Sequence, residues 1–529
     1  MIIYNVNGKT NINSKKGINL KSKKNIAHNS SGNISKTGIQ NGESYGSAKK
    51  INVEDLPTDT KNLKISVFFD GTLNNKTNVE TGGDKSLSYE NDYSNVVRGW
   101  DVLDKRADEV KVYVEGIGTV DEEKDSTVIG AGMGVSGTGV KAKVTKGCIL
   151  AVDAIYKELS GKNIKINKLE INVFGFSRGS AAARHFIDVC SKYARTSENE
   201  LGYLEVLPPT IYSYAKDENK TDQVLSFKTN VSTDLFRYGY LGALLTKKKI
   251  KLNKIVFNFT GLYDTVASYG LIHSNDTSNL GLNAIAKSNF TFQLASDHEM
   301  RKNFPLTNID SSGLKGLQVI LPGVHSDIGG GYKSKKEEAK LLQENSLSEI
   351  NKFKDLLKEE GWFNEEELKI EEKGLIKKLH KYYRLSGIRS VVSKNYSGIP
   401  LSFMFDQSEK YGVSYDRSLI QISYGLSSNE FLSRLKGDLE NYINACIAIR
   451  QRALQSKDLN GYKSNLSKIH YSSYVKEEDL KKLKNGYLHW SSSAWDSISK
   501  LDLNINIVNQ PNTTGAVKES LRNREVYPG

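Results

Sequence analysis

Three cysteines in 529 residues, Cys148, Cys190 and Cys446, are odd in number and far apart, which leaves no disulfide framework and no thiolate metal cluster to build. Such a chain is expected to be made in a reducing cytoplasm. Long apolar runs are missing too: nowhere do about 18 apolar residues follow one another, and residues 1–30 are rich in Asn and Lys without an apolar segment. Neither a transmembrane helix nor a Sec-type signal peptide is expected. Histidines are few, and His28, His185, His273, His298, His380 and His470 lack an H-E-x-x-H or comparable ligand spacing, which disfavours a zinc hydrolase. No metal and no cofactor is expected. Also absent is the interleaving of Arg with aromatic residues that a nucleic-acid groove wants. The formal charge of +13 is concentrated instead: residues 1–52 hold nine lysines against Glu43, a net of +8. Residues 1–60 are expected to be a flexible Lys/Asn-rich tail suited to docking, and nucleic acid is not an expected partner.

What the chain does have is organised around residues 168–186, KLEINVFGFSRGSAAARHF. Leu169, Ile171, Val173 and Phe174 make an apolar run of strand length, and the small residues Ser180 to Ala183 suit a tightly packed helix start. Between them, Gly175-Phe176-Ser177-Arg178-Gly179 matches the G-x-S-x-G turn that exposes a nucleophilic serine between strand and helix. The helix N-terminus behind Ser177 offers N–H groups to an oxyanion, Arg178 N–H first.

Two later segments repeat the pattern of apolar strand followed by a polar side chain. KIVFNFTGLYDTVAS (254–268) carries Asp264 just past its strand, and LQVILPGVHSDIGGGY (317–332) carries His325 and Asp327 on a glycine-closed loop. Ser177, Asp264 and His325 thus appear in the order nucleophile, acid, base. An imidazole takes the hydroxyl proton, and a carboxylate fixes the imidazole's tautomer. A rival assignment makes Asp327 the acid and His489 the base, because GYLHWSSSAWDSI (486–498) places His489 after a short Tyr-Leu strand with Trp490 and Trp495 beside it. Upstream, LKISVFFDGTLNN (63–75) reads as strand and Asp-Gly turn, with Gly71 or Thr72 as candidate second oxyanion donor. Gly132, Gly134 and Gly137 spell G-x-G-x-x-G, but they follow an acidic loop rather than a strand, so a dinucleotide site is rejected in favour of a loop leading into a helix over 140–159.

Beyond residue 335 the composition changes. Residues 335–385 are Lys/Glu-rich with Leu341, Leu342, Leu356, Leu357, Leu375, Ile376 and Leu379 at helical spacing, which predicts a helical hairpin or lid; a further amphipathic helix is predicted over 430–455. The expected organisation is a tail (1–60), an α/β-hydrolase core with a central, mostly parallel sheet and helical insertions (61–335), and a C-terminal helical lid or elaboration (336–529) returning to the core near 486–498.

FFDGTLNN, YVEGIGT, GFSRGSAAAR, GLYDTVAS and LPGVHSDIGGGY occur in this order between residues 63 and 335. Together they resemble the catalytic domain of the α/β-hydrolase phospholipase effectors of the type VI secretion system, the first family of such lipase effectors. The resemblance implies a serine hydrolase of phospholipase A type with a Ser177–Asp264–His325 triad, acting on bacterial membrane glycerophospholipid as an antibacterial toxin. It further implies a spike-protein carrier, a cognate immunity protein, and delivery from the producer's cytoplasm, without a Sec signal, into a target cell's periplasm. The alternatives are a soluble carboxylesterase or other acyl hydrolase on the same fold, and a non-enzymatic cargo or adaptor domain.

Overall fold

The alternation in LKISVFF becomes a strand, β1 (Asp59–Phe69), which turns Ile65, Val67 and Phe69 to one face of a sheet and Phe68 to the other. Five more strands complete that sheet: β2 (Glu109–Val114), β3 (Ile164–Phe176), β4 (Leu252–Tyr263), β5 (Phe290–Ser296) and β6 (Gly316–Leu321). All neighbouring pairs are parallel, in the order β6-β5-β4-β3-β1-β2. A parallel sheet must be covered on both faces, and this one is. The first face buries Val67, Ile171 and Val173 against α1 (Val140–Leu159) and α2 (Arg178–Val189); α1 contributes Val144, Cys148, Val152 and Ile155 from a single stripe. The second face buries Phe68, Phe174, Phe176 and Phe259 against helix Gly398–Glu409 and α4 (Glu430–Ser456), and α3 (His325–Gly329) lies between β6 and these helices in the chain.

The order of strands places the site. From β1 the chain passes outward to β2 and then returns to β3 on the other side of β1, so the loops leaving β1 and β3 diverge at their carboxyl ends. Such a switch point is where open α/β sheets hold ligands. Phe69 of β1 pairs with Gly175 of β3, and Phe176 pairs with Tyr263 of β4, so residues 70–72, Ser177 and Asp264 emerge side by side.

These relations come from a computed structural model that describes residues 59–83, 86–104, 109–125, 138–198, 203–210, 226–267, 277–301, 303–334, 338–373, 382–491 and 524–529. Residues 1–58 of the tail, the glycine stretch at Gly132, Gly134 and Gly137, and Trp495 lie outside the described residues. Residues Pro57–Gly529 form one unit, in which the C-terminal elaboration is the cover of the sheet's second face. Cys148 and Cys190 are free, buried thiols whose sulfurs meet at 3.9 Å between α1 and the end of α2.

Two local expectations are corrected. The stretch read as a helical hairpin forms a three-stranded antiparallel sheet of Glu338–Asn345, Leu368–Lys373 and Tyr382–Arg389, and among its described residues only Leu347–Glu359 is an α-helix. Leu341 and Leu342 sit on a strand, while Leu375, Ile376 and Leu379 lie outside the described residues. The few apolar residues fitted either period. What decides is tertiary: Leu342 and Leu385 bury with Phe363 and Trp362, and the buried Glu338–Arg389 ion pair ties strand Glu338–Asn345 to its neighbour Tyr382–Arg389. His489 follows helix Glu477–Tyr487 rather than a short strand.

Candidate active site

Ser177 sits between β3 and α2 with φ 59° and ψ −128°, a left-handed conformation that a serine holds only where its surroundings over-determine it. Its N–H donates to Tyr263 O at 3.0 Å, and its carbonyl accepts from Val266 N–H at 3.3 Å, which ties the turn to the end of β4. Asp264, at that end, is also left-handed with φ 46°. Two glycines let the loops close up. A Cβ on Gly179 would lie 2.2 Å from Asp70 O, and one on Gly116 would lie 1.8 Å from Gly71 O, so only glycine lets α2 and the loop after β2 approach the loop after β1.

The Asp264 carboxylate is buried and accepts five hydrogen bonds. Oδ1 takes Ser296 N–H at 2.9 Å and Arg524 Nη1 at 2.6 Å; Oδ2 takes Ser296 Oγ at 3.0 Å, Arg524 Nη2 at 2.9 Å and His325 Nδ1 at 2.5 Å. Burial alone would push this carboxyl up, but Arg524 and then His325 outweigh it and hold the group well below the usual carboxylate range. An ionised Asp264 can only accept, so His325 Nδ1 carries the proton and Nε2 is the acceptor of the ring. Burial lowers the His325 pKa, against the raising effect of Asp264. The imidazole packs on Phe176, the residue before Ser177, with centroids 4.6 Å apart, and edge-on to Phe304 at 5.0 Å. Its backbone N–H donates to Glu299 Oε2 at 3.2 Å; Glu299, which burial would raise, is brought down to about 2 chiefly by Arg301.

The rival residues also pair. His489 Nδ1 lies 2.8 Å from Asp327 Oδ1, while Asp327 Oδ2 accepts the N–H groups of His489 and Val324, each at 3.1 Å. Burial raises the Asp327 pKa, only partly offset by His489. The His489 ring lies against Tyr332 at 4.3 Å, and its Nε2 is buried without a hydrogen-bond partner.

In the loop after β1, Asp70 accepts from Ser94 Oγ at 2.5 Å, Tyr113 Oη at 2.7 Å and Gly71 N–H at 2.7 Å; burial nevertheless lifts it to about 6. Thr72 follows on the same loop, and Arg178 occupies the first turn of α2. Among the described residues no group of three or more His, Cys, Asp or Glu is placed to hold a metal ion, and no helix is long and apolar enough to cross a membrane.

A family model described as the type VI secretion phospholipase effector, Tle1-like, catalytic domain matches residues 63–352. The chain belongs to this family. As a Tle1-like protein it carries a hydrolase catalytic domain, and the family's members are type VI secretion effectors. A solved structure described as the Tle1 effector bound to the VgrG spike from the type 6 secretion system superposes with TM-score 0.54 at 18% identity, covering 94% of this chain and 98% of that one. It shows that the fold is shared over nearly the whole length. A crystal structure of an uncharacterized protein from Pseudomonas aeruginosa matches at TM-score 0.31 and 20% identity over 52% of this chain and 42% of that one. No curated protein matches the chain.

In this Tle1-like protein Ser296, Glu299 and Arg524, which bond to Asp264 and His325, stand outside the sequence motifs. The alternation of Phe290, Phe292 and Leu294 is the signal that would find β5, and with it Ser296 at a strand end. Arg524 has no local signal, since its partners lie more than two hundred residues away in sequence.

Proposed function

We propose that this protein is a phospholipase A-type serine hydrolase in which Ser177 attacks the acyl carbonyl of a bacterial glycerophospholipid, His325 is general base and then acid, and Asp264 orients the imidazole. The observation that carries this reading is the Asp264–His325 hydrogen bond with the ring laid against Phe176, at the strained turn that presents Ser177. In the forward step His325 Nε2 accepts the Ser177 hydroxyl proton as the oxygen bonds to the ester carbon, and then returns it to the departing alcohol; water repeats the sequence on the acyl-enzyme. Gly71 N–H is engaged by Asp70, so Thr72 N–H and Arg178 N–H are the donors assigned to the oxyanion. The Asp327–His489 pair is assigned to structure.

Delivery on a spike carrier, restraint by a cognate immunity protein and action on a target cell's periplasmic membrane leaflet complete the proposal, supported by family membership and by the relative bound to a VgrG spike. Purified protein on vesicles of phosphatidylethanolamine and phosphatidylglycerol should release fatty acid, and Ser177→Ala should reduce kcat by about 10⁴-fold or more with an unchanged melting curve. Hydrolysis of soluble esters but not of vesicles would instead point to a carboxylesterase, and no hydrolysis of either to an adaptor.

A further inference from the structure

The chain segment that ends at Gly529 reaches the candidate site from far away. Val526 and Tyr527 pair in parallel with Leu306 and Thr307, Leu306 N–H donates to Glu525 O at 2.9 Å, and Gly529 N–H donates to Asn308 Oδ1 at 3.0 Å. This short ladder fixes Arg524, whose side chain is 8% exposed, over Asp264. The guanidinium is spent on one place. Nη1 and Nη2 clasp the two Asp264 oxygens, Nη1 also reaches Ser296 Oγ at 2.8 Å, and Nε donates to Phe304 O at 2.8 Å. Phe304 is the residue whose ring edges against His325, and its ring also lies under the Arg301 guanidinium at 3.5 Å. Arg524 therefore holds both the carboxylate that receives His325 Nδ1 and the backbone of the aromatic residue that flanks its ring.

A planar fork bound to both oxygens fixes the carboxylate's rotation, which a point charge would not do. It also supplies a buried cation beside a buried anion, so the imidazole faces an aspartate whose charge is already compensated. Among the described residues, Glu299, on the His325 backbone N–H, and Arg301, which pairs with Glu299 at 2.9 Å, also act on the imidazole. That second pair is held chiefly by its own contact, with Arg524 adding a smaller lowering effect on Glu299.

We propose that Arg524 is a positioning residue for this hydrolase: by clasping Asp264 and Phe304 from the end of the chain, it completes the Ser177–His325–Asp264 site and sets the basicity of His325. The proposal rests on that triad. Loss of the fork lets the carboxylate and ring drift, and misplacement on the order of 1 Å costs about 100-fold. Loss of the cation leaves Asp264 uncompensated, which favours the imidazolium and makes His325 harder to deprotonate.

The test is the pH profile of kcat and KM on a soluble p-nitrophenyl ester and on phosphatidylethanolamine/phosphatidylglycerol vesicles. Arg524→Ala should lower kcat by about 10- to 100-fold with little change in KM, and move the acid limb of kcat/KM upward by about one pH unit. Arg524→Lys keeps a cation without the fork, so its kcat should fall while its acid limb stays near that of the parent protein. Should Arg524→Ala fail to fold, Arg524→Lys decides: parent-like kcat together with a parent-like acid limb overturns the proposal. If Ser177→Ala is inactive and Arg524→Ala has parent-like kcat and an unmoved limb, the inference falls and the triad stands. A fully active Ser177→Ala overturns both.

Discussion

One five-residue helix supplies half of each of two buried histidine–aspartate pairs. From α3, His325 reaches Asp264 and Asp327 reaches His489, and in both pairs the contact is Nδ1 to a carboxylate oxygen, at 2.5 Å and 2.8 Å. Residues two apart on a helix point about 200° away from each other, so the pairs depart from α3 in different directions. Their surroundings then make them different. Asp264 is clasped by Arg524 and Ser296 and stays ionised, whereas Asp327 takes two backbone N–H groups and the ring, and burial raises its pKa. His325 packs on the residue before Ser177; His489 packs on Tyr332 with Nε2 enclosed. In the proposed reading the same two residue types serve proton transfer in one place and fix a chain segment in the other. What separates them is the compensating cation and the packing of one ring on Phe176, the residue before Ser177.

The comparison can be broken most forcefully with paired alanines. His325→Ala should cost about 10⁴-fold in kcat, as removal of a triad member does. His489→Ala should retain most of the rate and lose about 1–3 kcal/mol of stability, because Asp327 is left buried without the ring hydrogen-bonded to its Oδ1. Hydrolysis rates and denaturant melts of the two variants check both halves. If His489→Ala is the inactive one, the assignment of roles is inverted.

A smaller effect concerns pH. The base must be neutral to accept the serine proton, and burial lowers the His325 pKa from 6.5. The acid limb of kcat/KM should therefore fall below about 6.5, the ordinary histidine value. A limb above that value would mean a different group titrates in the free enzyme.

The strand-end positions of Ser177, Asp264 and His325 were legible because each follows an apolar strand whose β-type alternation survives in the sequence, and parallel strands put their carboxyl ends on one edge. The elbow glycines were legible for a related reason: close backbone approach leaves glycine as the residue that fits. Arg524 and the second sheet were not. Arg524 gains its role from a ladder to residues 306–308, a pairing that no periodicity near position 524 announces. In 338–389, a handful of leucines matched helix and strand alike until Phe363 and Trp362 supplied a surface for them to bury against. The alternative pair, Asp327 with His489, is itself in contact, and no spacing in the sequence announces that the other ring packs on Phe176.

The finest distinction between the pairs is the sign of their linkage to pH. Asp264 has a folded-state pKa below its unfolded value of 3.8, so its contribution to stability is present above about 3.8 and is lost as pH falls through the folded value. Asp327 has a folded-state pKa above 3.8, so its contribution is present below about 3.8 and is lost as pH rises through that higher value. Neutral asparagine removes each dependence. Measured against the parent protein, the melting temperature of Asp264→Asn should show its largest deficit near neutral pH and a shrinking one as the solution is acidified below about 3.8. That of Asp327→Asn should move in the variant's favour as pH rises from about 4 towards about 7, whatever its absolute offset, because the variant no longer has to ionise a buried carboxyl. Parallel pH slopes in the two variants would mean that the carboxylates share one electrostatic environment, and the contrast between a cation-clasped and an uncompensated aspartate would fail.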